Sequence, residues 1–210
     1  MKCWSCQADT HGQVFCPACG KIVPPEPQAN HFELFGLPRS VDLDPNVLDQ
    51  RFRELSLRLH PDRQSAPEAR ERRLSLERTT SLNEGYRILK DKVRRAFYLL
   101  KLHGVDLDRE DFGTQRDMPL EFLEEVMELR EALEGARARR ELEAARRMAE
   151  DVRVRERKAL EEANGELRRL EKGDATPEAV QRAARALARV RYFTRFLQEH
   201  ELMEEEALGG

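Results

Sequence analysis

The sequence predicts an all-α protein, a helical hairpin and a three-helix bundle preceded by a small four-cysteine unit. Three observations carry that prediction. Charged residues make up 37% of the 210, against a usual fraction of about 25%, while Ala, Leu, Glu and Arg dominate and long β-branched runs are absent. Beyond residue 30, apolar residues recur at spacings of three and four, the period of amphipathic helices. All four cysteines lie in the first nineteen residues, unlike the thiols of a disulfide-stapled secreted domain.

The same composition excludes several classes. A net charge of -3 and a pI near 6.1 give no general attraction to nucleic acid or to an anionic membrane. No segment approaches the roughly 18 apolar residues that span a bilayer. The N-terminal "MKCWSCQADT" has neither an apolar signal core nor the Arg/Ser-rich character of a transit sequence. The expectation is a cytoplasmic chain, or one of the mitochondrial matrix if a presequence has been removed.

Residues 1–22 hold the pattern C-x2-C-x9-C-x2-C, formed by Cys3, Cys6, Cys16 and Cys19. Each Cys-x2-Cys turn presents two thiolates on one side of a metal, and two such turns complete a tetrahedron. Pro17 and Gly20 in "CPACG" fit a tight turn. The segment is too short for a core of its own, so folding and metal binding are one event. Zinc is the default, being free of redox chemistry, and iron in the same four-sulfur geometry stays open. The competing reading is two redox-active or disulfide-forming pairs, against which two matched knuckles favour a structural metal. His11 reads as a solvated loop residue. Residues 23–30, "VPPEPQAN", read as a stiff linker, and no internal repeat is evident.

From His31 the chain becomes helical. "HFELFGLP" is a short helix ending before Pro38. Asp44-Pro45 supplies an N-cap and a proline at the first helical position. Leu48, Phe52, Leu55 and Leu59 then form one apolar stripe, and Pro61 stops the helix. A second long helix starts near Pro67 and runs to about Leu89, and a third, "KDKVRRAFYLLKLHG", ends at Gly104. Residues 105–118 read as another linker. From Pro119 to about Lys172 the pattern is helical, with Gly135 and the "ANG" at 163–165 as candidate breaks. Gly173 stops it, Thr176-Pro177 restart it, and the last helix is expected to fray in "MEEEALGG". The Arg/Glu-rich run 137–172 reads as a solvated face laced with i,i+4 pairs.

His60-Pro61-Asp62 has the makings of helix punctuation, since proline stops the helix and aspartate turns the chain. As a catalytic pair, His60 and Asp62 point in different directions, with no nucleophile suggested nearby. Arg51 and Arg58, seven apart, share one side of the helix, and Arg53 and Arg63 extend positive charge around its end. A basic surface ending in an exposed turn suits docking on an acidic partner.

"HFELFGLP", "RFRELSLRLHPDR" and the later "LNEGYRIL" together resemble a J-domain, here residues 31–104. A given tripeptide arises by chance in roughly 1% of chains this long, and its place after an amphipathic helix makes the match far more specific. The resemblance implies that His60, Pro61 and Asp62 stimulate ATP hydrolysis by a DnaK-type chaperone, with Arg51, Arg53, Arg58 and Arg63 contributing to docking. "RRAFYLLKLHGVDL" and "FLEEVMELREALEG" further resemble the HscB family, co-chaperones of iron–sulfur cluster assembly. That resemblance implies an HscA-like chaperone, no enzymatic activity, and an IscU-type scaffold held by residues 119–210.

The residues from 120 to 134 give independent support. At 100° per residue, Phe122, Val126, Leu129 and Leu133 cluster within about 60°, a sufficient core stripe. Leu120, Leu123 and Met127 form a second apolar group about 100° away, bordered by Glu124, Glu128 and Glu131. One core needs only the first. By resemblance, Leu120, Leu123, Met127, Glu128, Glu131 and Tyr192 contact the scaffold, and Glu124 stands where relatives often carry an apolar residue. A J-protein with another client, or a metal-knuckle interaction protein without chaperone activity, are the competing assignments. The expected oligomeric state is a monomer or weak dimer.

Overall fold

The computed structural model describes residues 1–26, 29–60, 69–107 and 118–209, with Leu208 and Gly209 described by backbone alone. Seven helices account for nearly all of its regular structure, and no strand beyond isolated bridges occurs among the described residues. The chain forms two compact units, Met1–Arg95 and Ala96–Gly210.

The first unit opens with two knuckles whose backbone repeats thirteen residues later. The N–H of Cys3 donates to Ala8 O, as that of Cys16 donates to Lys21 O, and Gln7 N–H donates to Cys3 O, as Gly20 N–H does to Cys16 O. The bridges Lys2–Asp9 and Phe15–Ile22 follow the same offset. The thirteen-residue offset between the two cysteine pairs is therefore repeated in the backbone hydrogen bonding. Both turns need a left-handed residue, at φ 63° in Gln7 and 73° in Gly20, and only the second uses the residue that adopts it without steric cost.

Helix α1 (His31–Phe35) is closed by a capping box between Asn30 and Glu33 and by Gly36 at φ 63°. It buries Phe32 and Phe35. Helix α2 (Pro45–Leu59) starts as expected, with Asp44 accepting from Asn46 N–H and proline at the first position. It pairs with α3 (Ala69–Lys90), where Phe52 stacks on Tyr86 at 4.1 Å and Asp49 accepts from both Tyr86 Oη and Lys90 Nζ. Gly85 lets α1 approach α3, since a Cβ there would lie 3.1 Å from both His31 and Phe35.

Three buried side chains serve backbone carbonyls that no helix satisfies. Ser75 Oγ donates to Leu59 O at the end of α2, and Arg95 donates to Leu89 O and Val41 O. Arg78, in the middle of α3, donates to Val23 O at 2.8 Å and Pro24 O at 2.9 Å. Helix α4 (Lys92–Leu102) contributes its first turn to this unit and the rest to the second.

The second unit holds α5 (Leu120–Arg139), α6 (Leu142–Glu171) and α7 (Pro177–Gly209), a three-helix arrangement in which α6 and α7 pair most extensively. Alanines are buried along both, Ala145, Ala149, Ala159 and Ala163 on α6 and Ala179, Ala183 and Ala184 on α7. Small side chains at the contact let two helices approach closely. Neither Gly135 nor Asn164-Gly165 breaks a helix. The chain turns at Arg140 instead, in the left-handed region at φ 58°, between the buried Ala136 and Ala145. Thr176 Oγ1 accepts from Ala179 N–H, as its N-cap role requires. Helix α7 continues through the segment expected to fray.

The charged run also differs from expectation. Within α6 it forms i,i+3 pairs such as Arg146–Glu143 and Arg153–Glu150, together with Arg168–Glu161, seven residues apart. Others cross between helices: Arg155–Glu125, Arg146–Glu204, Arg182–Glu166 and Arg189–Glu162. Long arginines on a narrow alanine seam reach the neighbouring helix more readily than the next turn of their own.

Candidate functional site

The four cysteine sulfurs lie within 4.8 Å of one another. Cys3 and Cys19 are 3.8 Å apart and Cys6 and Cys16 3.5 Å, far beyond a disulfide's length of about 2.05 Å. Metal–sulfur bonds of about 2.3 Å at tetrahedral angles require sulfurs about 3.8 Å apart. The cage therefore fits one tetrahedral ion. Its electrostatics fit as well. The backbone N–H groups of Cys6 and Ser5 bring the Cys3 thiol down to about 6, and that of Cys19, with Ala18 adding, lowers Cys16. At Cys19 the Lys21 N–H lowers the thiol, yet burial and the three neighbouring sulfurs together push it up to about 12. Backbone donors thus favour thiolates that repel each other, and a divalent cation supplies the missing charge.

The hairpin tip is described as far as His60, which follows α2 with extended backbone, φ -62° and ψ 128°, and an exposed side chain. Pro61, Asp62 and Arg63 lie outside the described residues. The arginines of α2 divide into two sets. Arg51 and Arg58 share one side, where Arg51 pairs with Glu54 at 3.4 Å and the Arg58 guanidinium lies 3.9 Å from the centre of the Phe15 ring. Arg53 is about 140° around the helix from Arg58. A groove of about 790 Å³ runs between the second knuckle and this side of α2, lined by Phe15, Pro17, Leu34, Arg51, Leu55 and Arg58.

Contacts between the knuckles and α3 went unforeseen. Trp4 is flanked by Lys21 and Arg70, with cations 5.1 and 4.8 Å from the ring centre, and its indole N–H donates to Ile22 O. Lys21 pairs with Glu71 at 3.3 Å. A signal was available in the sequence: two large aromatics in a segment too short to bury them need a surface from elsewhere.

On α5 the two apolar stripes separate as their angles require. Phe122, Val126 and Leu133 are buried and Leu129 half-buried. Leu120 is 69% exposed and Met127 62%, with Leu123 half-buried beside them and Glu124, Glu128 and Glu131 exposed. Tyr192 of α7 is half-buried and meets the Phe122 ring edge-on at 5.6 Å. The surface is thus an apolar strip with an acidic margin, resting on a packed aromatic pair. No described helix is long and apolar enough to cross a membrane.

Residues 118–201 match the profile of the HSCB C-terminal oligomerisation domain. The chain is 37% identical over 181 residues to the co-chaperone protein HscB homolog of Aliivibrio fischeri, covering 86% of this chain and 99% of that protein. Its fold is similar to the crystal structure of human co-chaperone protein HscB, with a TM-score of 0.78, 27% identity and coverage of 97% and 98% of the two chains. It is also similar to chaperone HscB from Vibrio cholerae, with a TM-score of 0.67, 31% identity and coverage of 85% and 99%.

Proposed function

The chain belongs to the HscB family of co-chaperones, and from that premise we propose that it delivers an IscU-type iron–sulfur scaffold to a specialised, HscA-like DnaK-type chaperone in the cytoplasm. Residues 31–104 act as the J-domain and residues 119–210 hold the scaffold. His60, Pro61 and Asp62 stimulate the chaperone's ATPase, with the α2 arginines and Arg63 docking on its acidic surface. Stimulation by the J-domain and client binding by the C-terminal domain couple ATP hydrolysis to cluster transfer. The chain itself carries no reaction.

The observation that supports this reading best is the outward apolar strip of α5. Leu120 and Met127 remain exposed on a helix whose core stripe is already buried, and an exposed apolar strip with a polar border marks a binding surface. The acidic margin of Glu128 and Glu131 selects a partner whose rim is basic. Cys3, Cys6, Cys16 and Cys19 hold zinc in a structural role, because a closed four-sulfur cage leaves no position open for substrate.

Calorimetric titration of the full chain with the apo scaffold tests the assignment. Saturable binding should be lost on replacing Leu123 and Met127 together with Ser, with helicity unchanged. Two such central contacts contribute at least about 2 kcal/mol each, so affinity should fall by three orders of magnitude or so. Equal binding by the wild type and the double variant would move the client elsewhere.

A further inference from the structure

Phe15 is only 8% exposed although it belongs to a unit with almost no interior, because the Arg58 guanidinium covers it. Its position is set by the metal site. Cys16, the next residue, belongs to the four-sulfur cage, and the backbone of Phe15 is bridged to Ile22. Trp4, one residue from Cys3, is held between Lys21 and Arg70, and Arg78 grips the carbonyls that follow the second knuckle. The metal-binding unit is thus fastened along α2 and α3, with aromatic side chains beside two ligands serving as pegs.

We propose that this unit is a positioning element for chaperone docking: the bound metal fixes Phe15, and Phe15 holds Arg58 in its docking orientation. The inference rests on the assignment of α2 as the chaperone-docking helix. A guanidinium stacked by its face keeps all five N–H donors in its plane, directed outward and available to a carboxylate. Arg58 meets that condition, being stacked at 3.9 Å and yet exposed. An arginine free in solution loses rotamer freedom on binding, whereas one already held on a ring has lost most of it. Such preorganisation changes affinity by roughly two- to tenfold per side chain. Loss of the metal unfolds the knuckles, removes the ring and returns Arg58 to its full set of rotamers. The state of the four-cysteine site would then set the strength of chaperone engagement without touching the His60 turn.

The test is the concentration of full-length, metal-loaded chain that half-maximally stimulates the DnaK-type chaperone, with metal content checked by elemental analysis. Arg58→Gln should raise that concentration two- to tenfold, and Phe15→Leu by a similar factor. The Phe15→Leu/Arg58→Gln double variant should be no worse than Arg58→Gln alone, because one residue acts through the other. Phe15→Tyr keeps the ring and should match the wild type. Arg58→Lys keeps the charge but lacks the planar face, leaves the metal unit untouched, and should behave like Arg58→Gln even if Phe15→Leu fails to retain metal. Stripping the metal from the wild type should reproduce the weakening. Multiplicative effects of Phe15→Leu and Arg58→Gln, a stronger Phe15→Leu, or a silent Arg58→Lys would overturn the proposal. His60→Gln separates the two levels. If it abolishes stimulation while Arg58→Gln is silent, the docking assignment stands and the positioning role fails; if it leaves stimulation intact, the docking assignment itself fails.

Discussion

Replacing Arg78 with Met would test whether the metal-binding unit and the helical hairpin are one cooperative body. Arg78 is 4% exposed, and its two charge-assisted bonds, to Val23 O and Pro24 O, connect α3 to the chain more than fifty residues earlier. Methionine keeps most of the side-chain stem and removes every donor. Hydrogen bonds to charged groups contribute about 1.5–3 kcal/mol each, and the Val23 carbonyl would be left buried without its partner. Against this stands the desolvation of the guanidinium, which lowers its pKa and is recovered on substitution. The balance is a loss of about 3 kcal/mol. For a unit of the size of Met1–Arg95, 1 kcal/mol shifts the melting temperature by about 4–8 °C, so Arg78→Met should melt about 12–24 °C lower. Trp4 is the only tryptophan and lies between Lys21 and Arg70, so its fluorescence reports detachment of the unit directly. Amide exchange along Ala69–Lys90 should accelerate together with it. A variant that melts within about 1 °C of the wild type, with Trp4 emission unchanged, would refute the coupling.

Three further outcomes follow from individual residues. His60→Gln should abolish stimulation of the chaperone's ATPase while scaffold binding, measured by titration, stays at the wild-type level. His200 is 1% exposed with neither ring nitrogen hydrogen-bonded, and Glu204 stands 3.9 Å away; an unsatisfied buried polar group costs about 1–3 kcal/mol, so His200→Leu should raise the second unit's melting temperature, and a fall would show a hidden partner. Asp49 is held below the usual carboxylate range by bonds from Lys90 and Tyr86, so its contribution is present above pH 4 or so and is lost as pH falls through the depressed value. Asp49→Asn should therefore be less stable than the wild type by urea titration at pH 7, with the difference shrinking towards zero as acid protonates Asp49 below the usual carboxylate range; a difference independent of pH would assign it to packing instead.

Features encoded within a few residues were legible from the chain alone. The Asp44 and Thr176 caps, the start of α2 at Pro45, the four-cysteine cage and the two faces of α5 all follow from spacing and local hydrogen bonding, and the structure realises each. Helix breaks were less legible. Glycine at 135 and 165 is permissive rather than obligatory, so whether it stops a helix depends on what the neighbouring turns bury. Arg140 takes the turn because the buried stripes of α5 and α6 end and begin on either side of it, despite a left-handed cost of about 1–2 kcal/mol.

By itself, then, the sequence determined that this protein is helical, that its four cysteines form a cage able to hold a metal, and which family the chain belongs to. Only the tertiary structure decided that Arg51 and Arg58 face the knuckles while Arg53 turns away. It alone placed Phe15 under Arg58 and joined Arg78 to carbonyls more than fifty residues distant. The physical reason is range. Caps, turns and helical periods are set by neighbours within about five residues, whereas a stacked cation or a buried guanidinium takes its partner from whichever surface the folded chain brings against it.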